Sequence, residues 1–153
     1  MEYIKMSRDD ELYTEYRDYC KENIIFENLI SNGGTLMGLD TLNYADSLVM
    51  CLDRNDIIGI AGLIENYSSD SDSYICQIAI KKDSKRKGVG KGLLNTIFET
   101  TDKDYVTCNI NGFNTVSKIF FASMGFIRDE KSSEDYGFYL CETPLKKRKD
   151  GSR

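Results

Sequence analysis

The sequence predicts an α/β protein with a mixed, largely antiparallel sheet flanked by helices on both faces. Short runs rich in Val, Ile and Tyr alternate with longer segments whose apolar residues recur at helical spacing. The run Ile57–Ile64 is almost entirely apolar, which is typical of a strand covered on both faces. With 153 residues, of which 41% are hydrophobic, the chain can bury a core without disulfides or metals. We therefore expect a single domain over residues 1–145.

The first half of the chain contains three predicted strands and two predicted helices. In order, these are Tyr3–Met6 (strand), Ser7 to about Cys20 (helix), Ile24–Ile30 (short helix), Ser47–Leu52 (strand) and Ile57–Ile64 (strand). Ser7 is the expected N-cap of the first helix, with Asp9 and Asp10 in its first turn. Asn32-Gly33-Gly34 is a breaker. The tetrapeptide at 53–56, Asp-Arg-Asn-Asp, joins the last two strands as a hairpin.

The second half alternates strands and helices and then ends in two strands. The predicted elements are Ile75–Ile80 (strand), Val89–Phe98 (helix), Tyr105–Ile110 (strand), a helix from Thr115, Ile127–Lys131 (strand) and Tyr136–Cys141 (strand). Pro144 is expected to close the domain. We expect the basic segment 146–153 to be a disordered tail.

The stretch from Ile75 to Gly92, ICQIAIKKDSKRKGVGKG, combines an apolar strand, a basic loop and a helix that opens at two glycines. Such a turn points several backbone N–H groups at one spot, where the helix dipole also favours negative charge. Glycine allows a backbone to approach a ligand closely. The six cations of the loop are Lys81, Lys82, Lys85, Arg86, Lys87 and Lys91. The pattern indicates an anion site; the alternative is a basic surface turn before an amphipathic helix.

Two common phosphate-binding motifs do not fit this loop. The P-loop requires G-x-x-x-x-G-K-[ST], and the dinucleotide fingerprint requires G-x-G-x-x-G, whereas Gly88–Gly92 reads G-x-G-x-G. The segment Lys85–Gly90 instead resembles the acyl-coenzyme A pyrophosphate loop of the GNAT acyltransferase family, [QR]-x-x-G-x-[GA]. Lys85 stands where that family usually has Gln or Arg.

A second stretch strengthens this resemblance. The segment from Asn111 to Phe126, NGFNTVSKIFFASMGF, is similar to the family region N-P-x-N-x-x-A-x-x-[LF]-Y-x-x-x-G-F. Asn114 matches the asparagine that contacts pantetheine or substrate. Phe121 aligns with the tyrosine that can protonate the departing thiolate, and phenylalanine has no proton to donate. We expect Phe121 to be additional core or pocket wall.

The resemblance implies a GNAT-like fold and transfer of an acetyl group from acetyl-CoA, the co-substrate, to a primary amine of a small molecule or peptide. The amine attacks the thioester directly in a ternary complex, and backbone N–H groups near Ile80 stabilise the oxyanion. The strands at 74–80 and 105–110 would splay to admit the pantetheine arm. The expected cofactor-binding residues are Ile78, Ala79, Ile80, Lys85, Arg86, Lys87, Gly88, Val89, Gly90, Lys91, Asn114 and Phe121.

The general base must come from residues other than histidine, because the chain contains none. Carboxylates are the leading candidates, since an alkyl amine must lose a proton to attack. Glu65 ends a predicted strand immediately before the polar turn that leads into the cofactor strand, and we assign it as the candidate catalytic base. The alternative is a solvated glutamate at a strand end. Gln77 could only orient a water molecule.

The composition indicates which classes of partner the protein can bind. The net charge of −5 argues against a general nucleic-acid binder, and acidic residues in the first half favour a cationic amine acceptor. The absence of histidine removes the commonest zinc ligand, so no metal site is expected. Five scattered cysteines without a C-x-x-C pair are typical of a reduced, cytoplasmic protein.

No signal peptide or membrane-spanning run is recognised in the sequence, and a homodimer is compatible with it. The alternative function is a CoA-binding regulatory module with weak or no catalysis. A nucleic-acid binder that uses the basic loop is a third hypothesis.

Overall fold

The computed structural model describes residues 1–31 and 36–151, and its seven strands form one mixed sheet. The strands are β1 (Glu2–Ser7), β2 (Ser47–Asp53), β3 (Asp56–Glu65), β4 (Asp72–Ile80), β5 (Tyr105–Asn111), β6 (Ile127–Arg128) and β7 (Tyr136–Glu142). Hydrogen-bonded neighbours follow the order β1-β2-β3-β4-β5-β7-β6. β4 and β5 pair in parallel, whereas β1–β2, β2–β3, β5–β7 and β6–β7 are antiparallel. The predicted mixed, largely antiparallel α/β fold is confirmed.

Helices connect the strands. The α-helices are α1 (Tyr13–Cys20), α2 (Phe26–Ser31), α3 (Val89–Thr100), α4 (Thr115–Ser123) and α5 (Pro144–Gly151). A π-helical turn, Lys21–Ile25, joins α1 to α2, and 3₁₀ segments cover Leu36–Tyr44 and Lys82–Ser84. The predicted breaker Asn32-Gly33-Gly34 lies outside the described residues.

The chain divides into two compact units, so the single domain expected from the sequence stays a prediction. The first unit comprises Met1–Ile64 with Cys76–Thr100, and the second comprises Glu65–Ile75 with Thr101–Arg153. Strand β4 belongs to both, because its first four residues lie in the second unit and the remainder in the first.

Both faces of the sheet are covered in the first unit. Successive residues of β2 point to opposite faces, yet Val49 and Met50 are both fully buried. Met50 belongs to a core cluster that includes Ile24 and Leu42 from the helical segments after β1. On the β3 strand, a Cβ built at Gly59 would lie only 2.5 Å from Val89 of α3. The prediction that this apolar strand is covered on both faces is therefore confirmed.

Helix α1 begins later than the sequence predicts. Its N-cap is Leu12, so the assignment of Ser7 as the cap is wrong. The Asp10 side chain accepts a hydrogen bond from the Leu12 N–H (2.9 Å), and the Asp10 carbonyl accepts one from the Tyr13 N–H (3.0 Å). Aspartate thus closes a local turn, an arrangement that competes with helix formation.

The predicted hairpin between β2 and β3 is confirmed. Asp53 pairs with Asp56, and the two residues between them, Arg54 and Asn55, have φ angles of 53° and 70°. Two consecutive left-handed residues make a turn whose twist matches that of the strands it joins.

The second unit is organised around β5, all seven residues of which pair with β7. On its other side, Asp72, Ser73 and Tyr74 of β4 pair in parallel with the first three residues of β5. The buried carboxylate of Asp72 accepts hydrogen bonds from the hydroxyls of Ser68 and Thr107, which anchors the start of β4 to β5.

Two sequence expectations for the C-terminal region differ from the structure. β6 ends at Arg128 instead of Lys131, because the Asp129 side chain accepts from the Lys131 N–H (2.9 Å) and starts a turn. The expected disordered tail from residue 146 is helical through Gly151. Ion pairs from Lys146 to Asp150 (2.9 Å) and from Lys149 to Asp104 (2.8 Å) accompany this helix.

Gly92 should be required for packing between β1 and α3. A Cβ built at this position would lie 2.0 Å from the Tyr3 hydroxyl oxygen. We expect Gly92→Ala to lower the free energy of unfolding by about 1–3 kcal/mol, as overpacking typically does. Urea denaturation measures the change, and the exposed Asn95→Ala on the same helix is a control expected to lie within about 0.5 kcal/mol of wild type. In a Tyr3→Ala background, Gly92→Ala should change the free energy of unfolding very little. An equal decrease in both backgrounds would contradict this packing role.

Candidate functional site

The loop after β4 adopts two left-handed backbone conformations. Arg86 has a φ of 69° and Gly88 a φ of 78°. A left-handed non-glycine residue costs about 1–2 kcal/mol, so the position of Arg86 is strained. A Cβ built at Gly88 would meet no atom within 4 Å, so the space above this glycine is open.

Helix α3 starts directly from this loop. The Gly92 N–H donates to the Gly88 carbonyl (3.0 Å), which is the first i to i−4 bond of the helix. The N–H groups of the first helical residues precede this ladder and point out of the helix end. Together with left-handed Gly88, they form a concave array of donors that suits an anion.

Five of the six loop cations, Lys82 and the four that follow it, leave the positive charge of the loop uncompensated. Lys82, Lys85, Arg86, Lys87 and Lys91 are all exposed, and within residues 1–31 and 36–151 none of them forms an ion pair. Lys81 differs, because Asp56 lies 3.3 Å from its Nζ and raises its pKa. Positive potential is therefore concentrated beside the start of α3.

The second half of β4 satisfies backbone groups with side chains. The Ile78 N–H donates to Oε1 of the neighbouring Gln77 (3.2 Å), whose Nε2 donates to the hydroxyl of Thr41 (3.1 Å). The Ile80 carbonyl accepts from Nδ2 of Asn28 (2.9 Å). Ile78 and Ile80 are half-buried, whereas Ala79 is buried in the core. Of these three predicted residues, Ile78 and Ile80 thus lie on the accessible side of the strand.

Helix α2 braces the point where β4 becomes the loop. In addition to the contact from Asn28 to Ile80, the Glu27 carboxylate accepts from the Lys82 N–H (2.7 Å). Sequence reasoning missed both residues. No local signal identifies them, because their partners lie more than fifty positions away in the chain.

Asn114 is the N-cap of α4. Its Oδ1 accepts from the Ser117 N–H (3.1 Å), and the residue is exposed. This capping bond accounts for an asparagine at this position and holds the side chain at the entrance of the helix.

Phe121 lies within an aromatic cluster of the second unit. Its side chain is 4% exposed and meets Phe120 and Phe126 edge to face, with ring centroids 5.3 and 5.1 Å apart. These contacts agree with the interpretation of Phe121 as additional core.

Glu65 ends β3 and interacts with the start of β4. Its Oε2 accepts from the buried Ser73 hydroxyl (2.7 Å), and that hydroxyl also lies 2.7 Å from Oγ1 of Thr101. The carboxylate is half-buried and tied to a defined hydrogen-bond donor, so it is more than a solvated strand-end glutamate.

The cysteines are unsuited to nucleophilic catalysis. Burial raises the pKa of the Cys20, Cys76 and Cys108 thiols to about 12, so they stay protonated near neutral pH. Among the described residues, no group of three or more His, Cys, Asp or Glu side chains could hold a metal ion. The same residues include no helix that is long and apolar enough to span a membrane.

A cavity of about 470 Å³ lies in the second unit. Its lining residues are Gly112, Phe113, Lys118, Arg128, Glu134, Asp135, Gly137 and Tyr139. None of the residues predicted for the cofactor or for catalysis lines it. It combines two cations with two carboxylates, so it has no dominant charge.

Comparison with known families identifies the fold. Residues 18–148, well over half of the chain, match the acetyltransferase (GNAT) domain. The chain belongs to the GNAT acetyltransferase family. The resemblance deduced from the loop at 85–90 and the segment at 111–126 is thereby confirmed. A comparison with curated proteins finds no match.

Solved GNAT structures share this architecture at low sequence identity. A GNAT-family acetyltransferase from Staphylococcus aureus Mu50 is 15% identical with a TM-score of 0.70, and 92% of this chain covers 99% of that one. Tetrahymena GCN5 is 13% identical with a TM-score of 0.70, at coverages of 95% and 98%. A Bacillus anthracis protein provisionally assigned as a streptothricin acetyltransferase, crystallised with acetyl coenzyme A, is 20% identical with a TM-score of 0.55, at coverages of 63% and 61%. These likenesses establish the GNAT fold.

The capping bond of Asn114 can be tested by stability. Asn114→Ala should lower the free energy of unfolding by about 1 kcal/mol, because the Ser117 N–H loses its acceptor. Asn114→Asp keeps an oxygen acceptor and should stay close to wild type in urea denaturation. Equal stability of the alanine and wild-type proteins would show that the cap contributes nothing.

Proposed function

We propose that this GNAT protein transfers an acetyl group from acetyl-CoA to a primary amine of a small molecule or peptide, by direct attack in a ternary complex. The observation that carries the proposal is the loop between β4 and α3. It combines left-handed Arg86 and Gly88, outward-pointing N–H groups and five cations that form no ion pair within the described residues. A pyrophosphate supplies the negative charge that such a site lacks.

We place the pantetheine arm along the second half of β4, on the edge beyond its pairing with β5. The Ile78 N–H and the Ile80 carbonyl bond to side chains that can yield to a ligand amide. An extended arm would pair with this edge as an added strand does. The Ile78 N–H is then a donor for the thioester oxyanion, in addition to the groups near Ile80 expected from the sequence.

The protonated state of the buried cysteines in the described part of the chain fits direct attack by the amine. The three cysteine thiols with strongly raised pKa values stay protonated, and the sequence contains no histidine to activate a serine. In our proposal Glu65 receives the amine proton, and the net charge of −5 favours a cationic acceptor over an anionic one. Incubation with acetyl-CoA and a panel of amines, followed by mass spectrometry of the products, tests the reaction.

A second candidate function is a CoA-binding regulatory module with weak or no catalysis. Phe121 favours it, because this residue aligns with the family's tyrosine and has no donor. Acetyl-CoA binding in calorimetry without product from any amine in the panel would favour this second function.

Gly88 provides a test of the pyrophosphate loop. Gly88→Val should weaken acetyl-CoA binding about 100-fold, or about 3 kcal/mol, because a β-branched residue disfavours the φ of 78° and displaces the donors. Gly88→Asn is the matched control, since asparagine tolerates left-handed conformations and the space is open. Calorimetry measures both affinities. Unchanged affinity in a folded Gly88→Val protein would defeat this assignment.

Glu65 can be tested as the base by kinetics. Glu65→Gln should reduce kcat/KM about 10²–10⁴-fold and remove the acidic limb of the pH–rate profile, with acetyl-CoA affinity unchanged. Ser73→Ala removes the hydroxyl that donates to Glu65 but keeps the carboxylate. It therefore distinguishes loss of this hydrogen bond from loss of the base. If Glu65 only satisfies Ser73, the glutamine variant will keep the wild-type rate and profile, and the base must lie elsewhere.

A further inference from the structure

The cavity of about 470 Å³ in the second unit is lined by side chains of both charges. Its cations are Lys118 on α4 and Arg128 on β6. Its carboxylates are Glu134 and Asp135, in the segment that joins β6 to β7. Although all four line one cavity, none of them forms an ion pair within the described residues. Both signs of charge are therefore available to a ligand.

The two carboxylates belong to a segment that is fixed against the turn after β5. The Gly112 N–H donates to the Asp135 carbonyl (2.8 Å). A Cβ built at Gly112 would lie 2.4 Å from the Glu134 carbonyl oxygen, so only glycine allows this close approach. Both carboxylate side chains are exposed, and in the described part of the chain neither forms a hydrogen bond. The backbone is thus held in place while the carboxylates stay open to a ligand.

Arg128 is half-buried and is held in one orientation by the same segment. Its Nη2 donates to the Ser132 carbonyl (2.7 Å), and the Ser132 hydroxyl accepts from the Phe138 N–H (3.0 Å). A Cβ built at Gly137 would lie 3.3 Å from Nε of Arg128, so the glycine leaves room for the guanidinium. A guanidinium has five N–H donors, and the described residues accept only this one hydrogen bond from it. The remaining donors suit a carboxylate, which guanidinium binds through two parallel hydrogen bonds.

We propose that this cavity binds a free aromatic amino acid, with its carboxylate on the two cations and its ammonium group on the two carboxylates. A ligand with one charge would satisfy only one of these pairs, whereas a zwitterion satisfies both. The volume lies within the range of about 300–1,000 Å³ that is typical of small-molecule sites. Phe113, which is 89% exposed, and Tyr139 also line the cavity, and their rings favour an aromatic side chain. Binding here does not depend on the proposed acetyl-CoA reaction.

L-Phenylalanine is the probe, and two analogues each carry one of its charges: 3-phenylpropionate has the carboxylate, and 2-phenylethylamine has the ammonium group. Each is titrated into the ¹⁵N-labelled full chain, and the amide shifts of Gly112 and Gly137, which line the cavity, report its occupancy. L-Phenylalanine should bind about 10–100-fold more tightly than either analogue, because each analogue lacks one set of charge-assisted hydrogen bonds. Equal affinity for all three compounds would overturn the inference. So would unchanged amide shifts at about 10 mM L-phenylalanine, which would nearly saturate a site with a Kd of about 1 mM.

Charge-removing variants test each half of the site. In Glu134→Gln/Asp135→Asn, the affinity for L-phenylalanine should fall to that for 3-phenylpropionate, which should itself not fall. The variant should fold, since neither carboxylate forms a hydrogen bond in the described structure. Lys118→Gln should weaken binding of L-phenylalanine and 3-phenylpropionate but not of 2-phenylethylamine. Glu130→Gln, which removes an exposed carboxylate of the same segment outside the cavity, is the control and should match wild type. Undiminished affinity for L-phenylalanine in the double variant would contradict the assignment.

Discussion

The structure depends on how β4 satisfies its backbone hydrogen-bonding groups. Buried N–H and C=O groups must find partners, and strand pairing normally provides them. At its start, β4 pairs in parallel with β5, and the carboxylate of Asp72 secures that end. In its second half, the Ile78 N–H and Ile80 carbonyl are held by the side chains of Gln77 and Asn28. Side chains can rotate away and a paired strand cannot, which is why we propose that the ligand pairs with this half of β4.

The glycines after β4 serve different physical requirements, although they belong to one motif. Gly88 is needed for its left-handed backbone, with open space around it. Gly92 has ordinary helical geometry and is needed because the Tyr3 ring lies against it. The first requirement shapes the donors at the start of α3, and the second holds α3 against β1. Packing in the core of the first unit thereby fixes the position of the proposed anion site.

Much of the fold could be predicted from the sequence, because it depends on local patterns. Alternating and continuous apolar residues predicted all seven strands. The basic glycine loop and the segment at 111–126 indicated the family. The start of α1 could not be predicted, since Asp10 forms a turn that resembles a helix cap in sequence. The hydrogen bond from Tyr74 to Asn109, 35 positions later, could not be predicted either, because it depends on the β4–β5 register. The contacts of Glu27 and Asn28 could not be predicted for the same reason. Contacts between residues far apart in the chain leave no periodic pattern in the sequence.

A donor site built mainly from backbone groups constrains few side chains. The loop requires a backbone shape, an unblocked helix start and positive charge, and many sequences meet those conditions. Lysine at position 85 is therefore compatible with the proposed loop, and the fold persists among solved structures of low identity. Catalysis is different, because holding a proton or stabilising a thiolate requires a particular side chain at a particular distance. In the proposed reaction the base role falls on Glu65, which the end of β3 places against Ser73 at the start of β4.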